Sequence, residues 1–496
     1  MKIIKLIIAL VIICFADKAA AQDNNLVISN VLQSNMIVQQ GKALKVWGNA
    51  TPDAKVTVIA DFAKPVITTT GKDGKWIANV IVPEAKAGDF KQHEIKITSG
   101  ANIVTLTNIL IGDVWIASGQ SNMSMYMKKF EPWHHGVIDY ENEIAKANYP
   151  NIRFLTLEKD TSYAPRQMIQ GDWQAVSPAT AATLSAVSYY FGRDLYNNLN
   201  IPIGLVISAY GGAAAQAFTS REVLANNELL KKTYLDPYDA APDAKGVTGR
   251  PTLIYNAMIA PLAQLSVKGF IWYQGESNAG IKGLYPTLNT EMVKGWCKDF
   301  NQGNLPFYFV QMPYYNWKKH DPYEYGYALF REEQEALLTM IPNSGMAVAI
   351  ELGDTTIVHP SKKKEIGERL SKIALVQTYG KKLPAYEGPV YEGMKVEGDR
   401  VVINYKKESL GSGLVTADDN APVTFFISGS DKKFYPAAAA IQNNAIVLHC
   451  AKVKKPVAIR YAFTNYPITN LKNKEGYPAR PFRTDDWDKA KMLPLD

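Results

Sequence analysis

The stretch Ile109-Leu110-Ile111-Gly112-Asp113-Val114-Trp115-Ile116-Ala117 is an almost unbroken apolar run. It opens into the polar loop Ser118-Gly119-Gln120-Ser121-Asn122-Met123-Ser124-Met125. A run of this kind, closed by a glycine-containing turn, reads as a strand buried on both faces, as in a parallel sheet. Four more apolar runs have the same form, at 203–208, 269–273, 307–311 and 346–350, each followed by a polar or glycine-rich loop. Helical spacing lies between them. Leu184, Val187, Phe191 and Leu195 recur at intervals of three and four, as do Ile366, Leu370, Ile373 and Ala374 after Pro360, a residue suited to a first helical turn. Buried strands alternating with helices predict an α/β domain built on a doubly wound parallel sheet, whose ligands sit beyond the carboxyl ends of the strands. The loops after the five runs are therefore where chemistry is sought.

On either side of this core the pattern changes to short strands and turns. From Asn25 to about Asn108, Leu44-Lys45-Val46-Trp47 and Val56-Thr57-Val58-Ile59 are strand-like, and Gly71-Lys72-Asp73-Gly74 carries an Asp-Gly hairpin signal. After about Leu383, strand-like runs return at 395–397, 401–405, 423–427, 446–448 and 457–461, with turn material at Gly398-Asp399-Arg400 and Ser430-Asp431-Lys432. Both flanks read as β-sandwich-like domains. The expected division is a leader at 1–21, an N-terminal β domain at 22–108, the α/β domain at 109–383 and a C-terminal β domain at 384–496. About three domains is what a chain of 496 residues suggests at ~150 residues each.

The leader is read from Lys2 and Lys5, the apolar run 6–15 and the small residues Ala19-Ala20-Ala21 before Gln22, the layout of a cleaved secretory signal peptide. A secreted or periplasmic protein is expected. Cleavage removes Lys2, Lys5 and Lys18 together with Asp17, which lowers the net charge from +7 to +5. So small a charge without a basic block gives no support for nucleic-acid binding. No later run is long enough for a membrane span, and 47% hydrophobic against 20% charged residues excludes general disorder. Cys297 and Cys450 read as buried free thiols rather than a pair, and neither a C-x-x-C nor an H-E-x-x-H motif supports a metal site.

Ser121 stands at a strand-to-helix turn, where a hydroxyl is exposed at the sheet edge beside a backbone N–H. A nucleophile whose intermediate bears an oxyanion needs both, although a helix N-cap needs no more than the serine. The loop is not the G-x-S-x-G elbow, because Met123 stands where the second glycine would be. Of the six histidines, His93 and His449 fall in β regions, His320 in a polar loop, and His134 and His135 close behind the serine. His359 lies in the loop after the fifth run, on the edge where a general base is wanted. Tyr210-Gly211-Gly212-Ala213 brings bare N–H groups to that edge, and Trp272-Tyr273-Gln274-Gly275-Glu276-Ser277-Asn278 brings amides and a carboxylate.

These motifs, taken with Gly112-Asp113-Val114-Trp115, Pro202-Ile203-Gly204-Leu205, Tyr255-Asn256-Ala257-Met258-Ile259, His359-Pro360, Asn473-Lys474-Glu475-Gly476-Tyr477-Pro478 and Pro481-Phe482-Arg483-Thr484-Asp485-Asp486-Trp487, resemble the sialate O-acetylesterase family of the SGNH hydrolases. The resemblance implies an SGNH-like sheet, an O-acetylated sugar as substrate, and no cofactor or metal. It implies Ser121 as nucleophile, His359 as general base, and an oxyanion hole from the N–H groups of Ser121 and Gly212 with the side chain of Asn278. Gln274 competes with Asn278 as the side-chain donor. SGNH enzymes often carry an aspartate three residues before the histidine, and Thr356 occupies that place here. Either Asp354, five residues before, orients His359 by another loop path, or a backbone carbonyl does so in a Ser-His dyad.

Aromatic loops offer flat surfaces for sugar rings, or alternatively pack in the core. Trp133, Tyr315 and Trp317, with Glu276, are the candidate substrate contacts, although Glu276 also reads as a residue that shapes its loop. Three rival readings stay open: an acetylxylan or other plant-polysaccharide esterase with the same machinery, an inert carbohydrate-binding protein, and a glycosidase using Glu276 and Asp354.

Overall fold

One strand organises the molecule. Asn102–Gly119 (β1) is 18 residues long. Its first half pairs antiparallel with His93–Ser99, its middle pairs parallel with Ile37–Gln39, and its last part enters the central sheet. The expected boundary at 108/109 therefore falls inside a continuous strand, at Asn108, whose φ of 56° kinks it. The computed structural model describes residues 26–242, 246–315, 323–489 and 491–492. The expected leader lies outside the described residues.

The central sheet continues with Tyr149–Thr156 (β2), Trp173–Val176 (β3), Ile203–Ala209 (β4), Gly269–Tyr273 (β5), Phe307–Gln311 (β6) and Ser344–Val348 (β7). Their order is β3-β2-β4-β1-β5-β6-β7. Every adjacent pair from β2 to β7 is parallel, and β3 runs antiparallel to β2 at the edge. The chain thus starts in the middle, fills one side of β1, then crosses to the other. A reversal of this kind opens a crevice at the carboxyl ends of the central strands. Strands β2 and β3 have no counterpart among the five apolar runs, because Pro150, Asn151 and Arg153 interrupt the pattern. Arg153 is nevertheless buried and donates to the carbonyl of Asn35 at 2.9 Å.

Helices Ser121–Ser124 (α1), Ala186–Leu199 (α2), Tyr285–Phe300 (α3), Gly326–Met340 (α4) and Lys363–Gln377 (α5) follow the strands. Alternate side chains of the sheet enter two different cores. Phe270 and Trp272 of β5 pack with Met292 and Trp296 of α3 and Leu337 of α4. Ile271 and Tyr273 pack with Val187 and Phe191 of α2 and with Ile366, Leu370 and Ile373 of α5. Each such large side chain, fully buried, contributes about 1.5–3 kcal/mol. Helix α5 begins at Lys363 rather than at Pro360, which stays buried in the loop before it.

Residues 26–101 contribute a three-stranded sheet (Val27–Ile28, Ala43–Asn49, Lys75–Ile81) and the strands Lys55–Ala60, Val66–Thr69 and His93–Ser99, which join β1. The C-terminal region forms sheets of four, two and five strands. It is fastened to α4: Arg331, fully buried, donates to the carbonyl of Thr464, and Arg483 pairs with Glu332 at 2.7 Å. Within it the pair Arg460–Asp485, at 2.7 Å, is completely shielded from solvent. Cys297 and Cys450 are both free thiols.

Candidate active site

The turn that ends β1 is shaped by its two neighbours. Gly119 has φ 134°, and a Cβ there would lie 2.2 Å from the Tyr273 carbonyl oxygen, so only glycine fits. The Gln120 N–H donates to that same carbonyl at 3.0 Å, and the Gly119 carbonyl accepts from the Tyr210 N–H at 2.9 Å. Pinned by β5 on one side and by the end of β4 on the other, the chain presents Ser121 as the first residue of α1. Gly211 and Gly212 arrive from β4. A Cβ built on Gly211 would come 3.8 Å from Cβ of Ser121, and Gly212 holds φ 74°. The backbone N–H groups of Ser121 and Gly212 have no acceptor among the described residues.

His359 comes to the same place through Asn122. The buried amide of Asn122 donates to the Val358 carbonyl at 3.0 Å and to Oε1 of Glu276 at 2.5 Å, and accepts from Nζ of Lys363 at 2.6 Å. The residue after Ser121 is thereby tied to the residue before His359. Nδ1 of His359 lies 2.8 Å from the carbonyl oxygen of Trp133. A carbonyl only accepts, so Nδ1 carries the proton and Nε2 the lone pair. Nε2 is buried without a hydrogen-bond partner among the described residues. Burial holds the His359 pKa below its ordinary 6.5; the bond to Trp133 opposes this, and the charge of Lys363 adds to it. A neutral imidazole with an open Nε2 can accept a proton. The edge-on ring of His134, 6.4 Å away between centroids, is itself kept neutral, chiefly by burial, with its pKa lowered to about 4.

Asp354 does not reach the imidazole. Its Oδ1 accepts from the N–H and hydroxyl of Thr356, both at 2.7 Å, and from the N–H of Ile357 at 3.3 Å. Burial raises its pKa, but these bonds outweigh that and hold the carboxyl below its ordinary range. Asp354 therefore closes a turn within its own loop, and Thr356, in the customary aspartate position, belongs to that turn. The orienting acceptor is a main-chain carbonyl, the alternative the sequence left open.

The two side-chain oxyanion candidates are also committed elsewhere. Gln274 donates to the Ala213 carbonyl at 3.2 Å and to Oδ1 of Asn278 at 2.7 Å, which uses both of its N–H groups. Asn278 accepts a second bond from the Ala215 N–H at 2.9 Å and donates to Oε1 of Gln216 at 3.0 Å. Both amides thus splice the loop after β5 to the loop after β4, and the backbone N–H groups of Ser121 and Gly212 stand open at the edge.

The candidate substrate contacts separate. A cavity of about 400 Å³ opens between these loops and the C-terminal region, lined by Glu276, Tyr315, Tyr327, Val358, Asn465 and Tyr466. Glu276 presents part of its surface there while its carboxyl is buried against Asn122. The Trp133 side chain is 61% exposed, and its carbonyl is what meets the site. Trp317 and His320 lie outside the described residues. Sequence reasoning passed over Asn122, Lys363 and the Trp133 carbonyl. Lys363 left one trace, a cation at a helix start that is otherwise apolar in period; a carbonyl leaves none.

Residues 111–376 match the family model described as carbohydrate esterase, sialic acid-specific acetylesterase. The chain is 29% identical to the sialate O-acetylesterase of Mus musculus, with 88% of this chain and 90% of the relative covered. For the sialate O-acetylesterase of Homo sapiens the identity is 28%, over 93% of this chain and 91% of the relative. A solved structure of a carbohydrate acetylesterase from Xanthomonas citri superposes with a TM-score of 0.82 at 30% identity, covering 93% of this chain and all of the other. Family match and structural likeness run through the same strands and loops as the site, and the protein belongs to the carbohydrate esterase family of sialic acid-specific acetylesterases.

Proposed function

We propose that the protein is an exported serine esterase that removes O-acetyl groups from sugars, sialic acids first among them, through an acetyl-enzyme held on Ser121. The single observation that carries this reading is the state of His359: a buried neutral imidazole, its Nδ1–H fixed on a carbonyl and its Nε2 open, on a loop tied to the one that bears Ser121. His359 Nε2 takes the proton of Ser121 Oγ as Oγ bonds to the acetyl carbon. The N–H groups of Ser121 and Gly212 receive the developing oxyanion. The imidazolium then returns its proton to the departing sugar oxygen as the C–O bond breaks. Water, deprotonated by His359 in its turn, releases acetate and regenerates the serine.

The central sheet is read as the SGNH doubly wound core and the flanking sheets as β-sandwich-like domains, a reading supported by the strand order and the position of the catalytic loops at its carboxyl edge. The leader sequence supports export. A second reading has a specific observation behind it: the Xanthomonas citri structure is of a carbohydrate acetylesterase not restricted to sialates in its description. An acetylated polysaccharide fragment, seated against Tyr315, Tyr327 and Tyr466, would use the same machinery. Release of acetate from a panel of O-acetylated sialic acids and acetylated xylo-oligosaccharides decides between the two. Higher kcat/KM on the sialates is expected; release from neither class would contradict the reading.

A further inference from the structure

Lys363 is a fully buried cation that the acyl-transfer steps leave unused. It occupies the first position of α5, where the helix terminus disfavours positive charge. Nζ donates to Oδ1 of Asn122 at 2.6 Å and stands 5.3 Å from the centre of the Tyr273 ring. Asn122, 1% exposed, passes the contact on to Glu276 and to the Val358 carbonyl. A carboxylate, an amide and an ammonium are thus aligned in one buried chain that touches the loops after β1, β5 and β7. Burying an ammonium is costly, and a methionine would fill the space without that penalty.

We propose that Lys363 is a positioning residue of the esterase: through Asn122 it locks the Ser121 loop to the His359 loop, and it sets a buried ammonium two hydrogen bonds from the residue before His359. The inference rests on the reading of Ser121 as nucleophile and His359 as base. The groups around His359 are the Trp133 carbonyl and neutral His134 ring from the segment after α1, and, each one amide away through Asn122, Lys363 from α5 and Glu276 from the loop after β5. Glu131 and His135 act on His134. Burial brings Lys363 down to about 7 against the pull of Glu276, so the ammonium is present where an imidazole titrates. Removing that charge makes His359 easier to protonate. The acid limb of the rate profile then moves to higher pH.

The test uses the full chain with Lys363→Met and Lys363→Gln, read as kcat and KM against pH with melting temperature as a control. Lys363→Met should lower plateau kcat ~10–100-fold with KM within about threefold, the scale of a small misplacement of reacting groups. It should also move the acid limb of the profile to higher pH, since a cation that disfavours the imidazolium has been removed. Lys363→Gln retains a donor for Asn122 without the charge, so it should recover plateau kcat yet keep the raised limb, and it carries the test if the methionine variant does not fold. An acid limb at its wild-type position in the folded variants, with only the melting temperature lowered, would overturn the proposal. Labelling by an organophosphorus ester separates the two levels. If Ser121 is labelled and the limb does not move, this inference alone fails; if another serine is labelled, the reading beneath it fails as well.

Discussion

Ser121 and His359 stand at the same edge of one sheet but are held in opposite ways. Ser121 comes two residues after β1, and main-chain bonds from the Tyr273 and Tyr210 segments fix the turn before it. His359 comes eleven residues after Val348, the last residue of β7, and nothing in the sheet holds it. Its direction is set by the Trp133 carbonyl, and its loop by the side chain of Asn122. The proposed nucleophile is therefore placed by the sheet, whereas the proposed base is placed by contacts between loops. No carboxylate among the described residues meets the ring, so the proposed mechanism is that of a dyad with a main-chain third member. A carbonyl fixes the tautomer as an aspartate would, but gives less help to the imidazolium.

The difference can be broken at several points. Ser121→Ala should cost the most, with kcat down by about 10⁴ or more at an unchanged melting temperature, since a nucleophile has no substitute in acyl transfer. A variant with near-normal turnover would remove the first half of the comparison. Asn278→Ala is expected to cost less and to act differently. It strips partners from the Ala215 N–H, Gln274 and Gln216, each such loss being worth about 1–3 kcal/mol when buried. The melting temperature should fall, and kcat should fall about tenfold as the Gly212 loop loosens. A kcat loss of ~10²–10³ at unchanged melting temperature would instead make Asn278 a direct oxyanion donor.

The pH profile sharpens the second half. As the proposed base His359 acts in its neutral form, and its pKa is lowered, chiefly by burial. Activity should persist below pH 6.5 and be lost only as pH falls through that lowered value. An acid limb above 6.5 would require a neighbouring anion that stabilises the imidazolium. The smallest effect is expected of Asp354→Asn. Its side-chain oxygen can still close the turn with Thr356 and Ile357, so kcat should stay above a tenth of wild type, with at most a slight drop in melting temperature.

What was legible in the sequence follows the same division. The apolar runs at 203–208, 269–273 and 307–311 lie in strands within a residue or so, because a strand buried on both faces leaves no polar gap. Strand β2 was hidden by Pro150 and Arg153; Arg153 is buried only through partners distant in sequence, such as the Asn35 carbonyl, more than a hundred residues away. Ser121 and Gly212 could be placed at the sheet edge because a fold rule points at the ends of strands, and both stand there, after β1 and β4. The partner of His359 was not, because a carbonyl belongs to every residue and only the path of the chain selects Trp133. Gln274 and Asn278 were recognisable as donors by residue type, but what they donate to is decided by the course of the loop at 213–216.

One measurement bears on both halves of the account together: the rate and position of phosphonylation by an organophosphorus ester, followed by peptide mass spectrometry, in the wild type and in Asp354→Asn. With Ser121 as nucleophile and Trp133 orienting the base, both proteins should carry a single adduct on Ser121, formed at rates within about tenfold of each other. An adduct on a different serine would contradict the assignment of the nucleophile. Labelling of Ser121 that slows by ~10⁴ in Asp354→Asn would show that a carboxylate orients His359 after all.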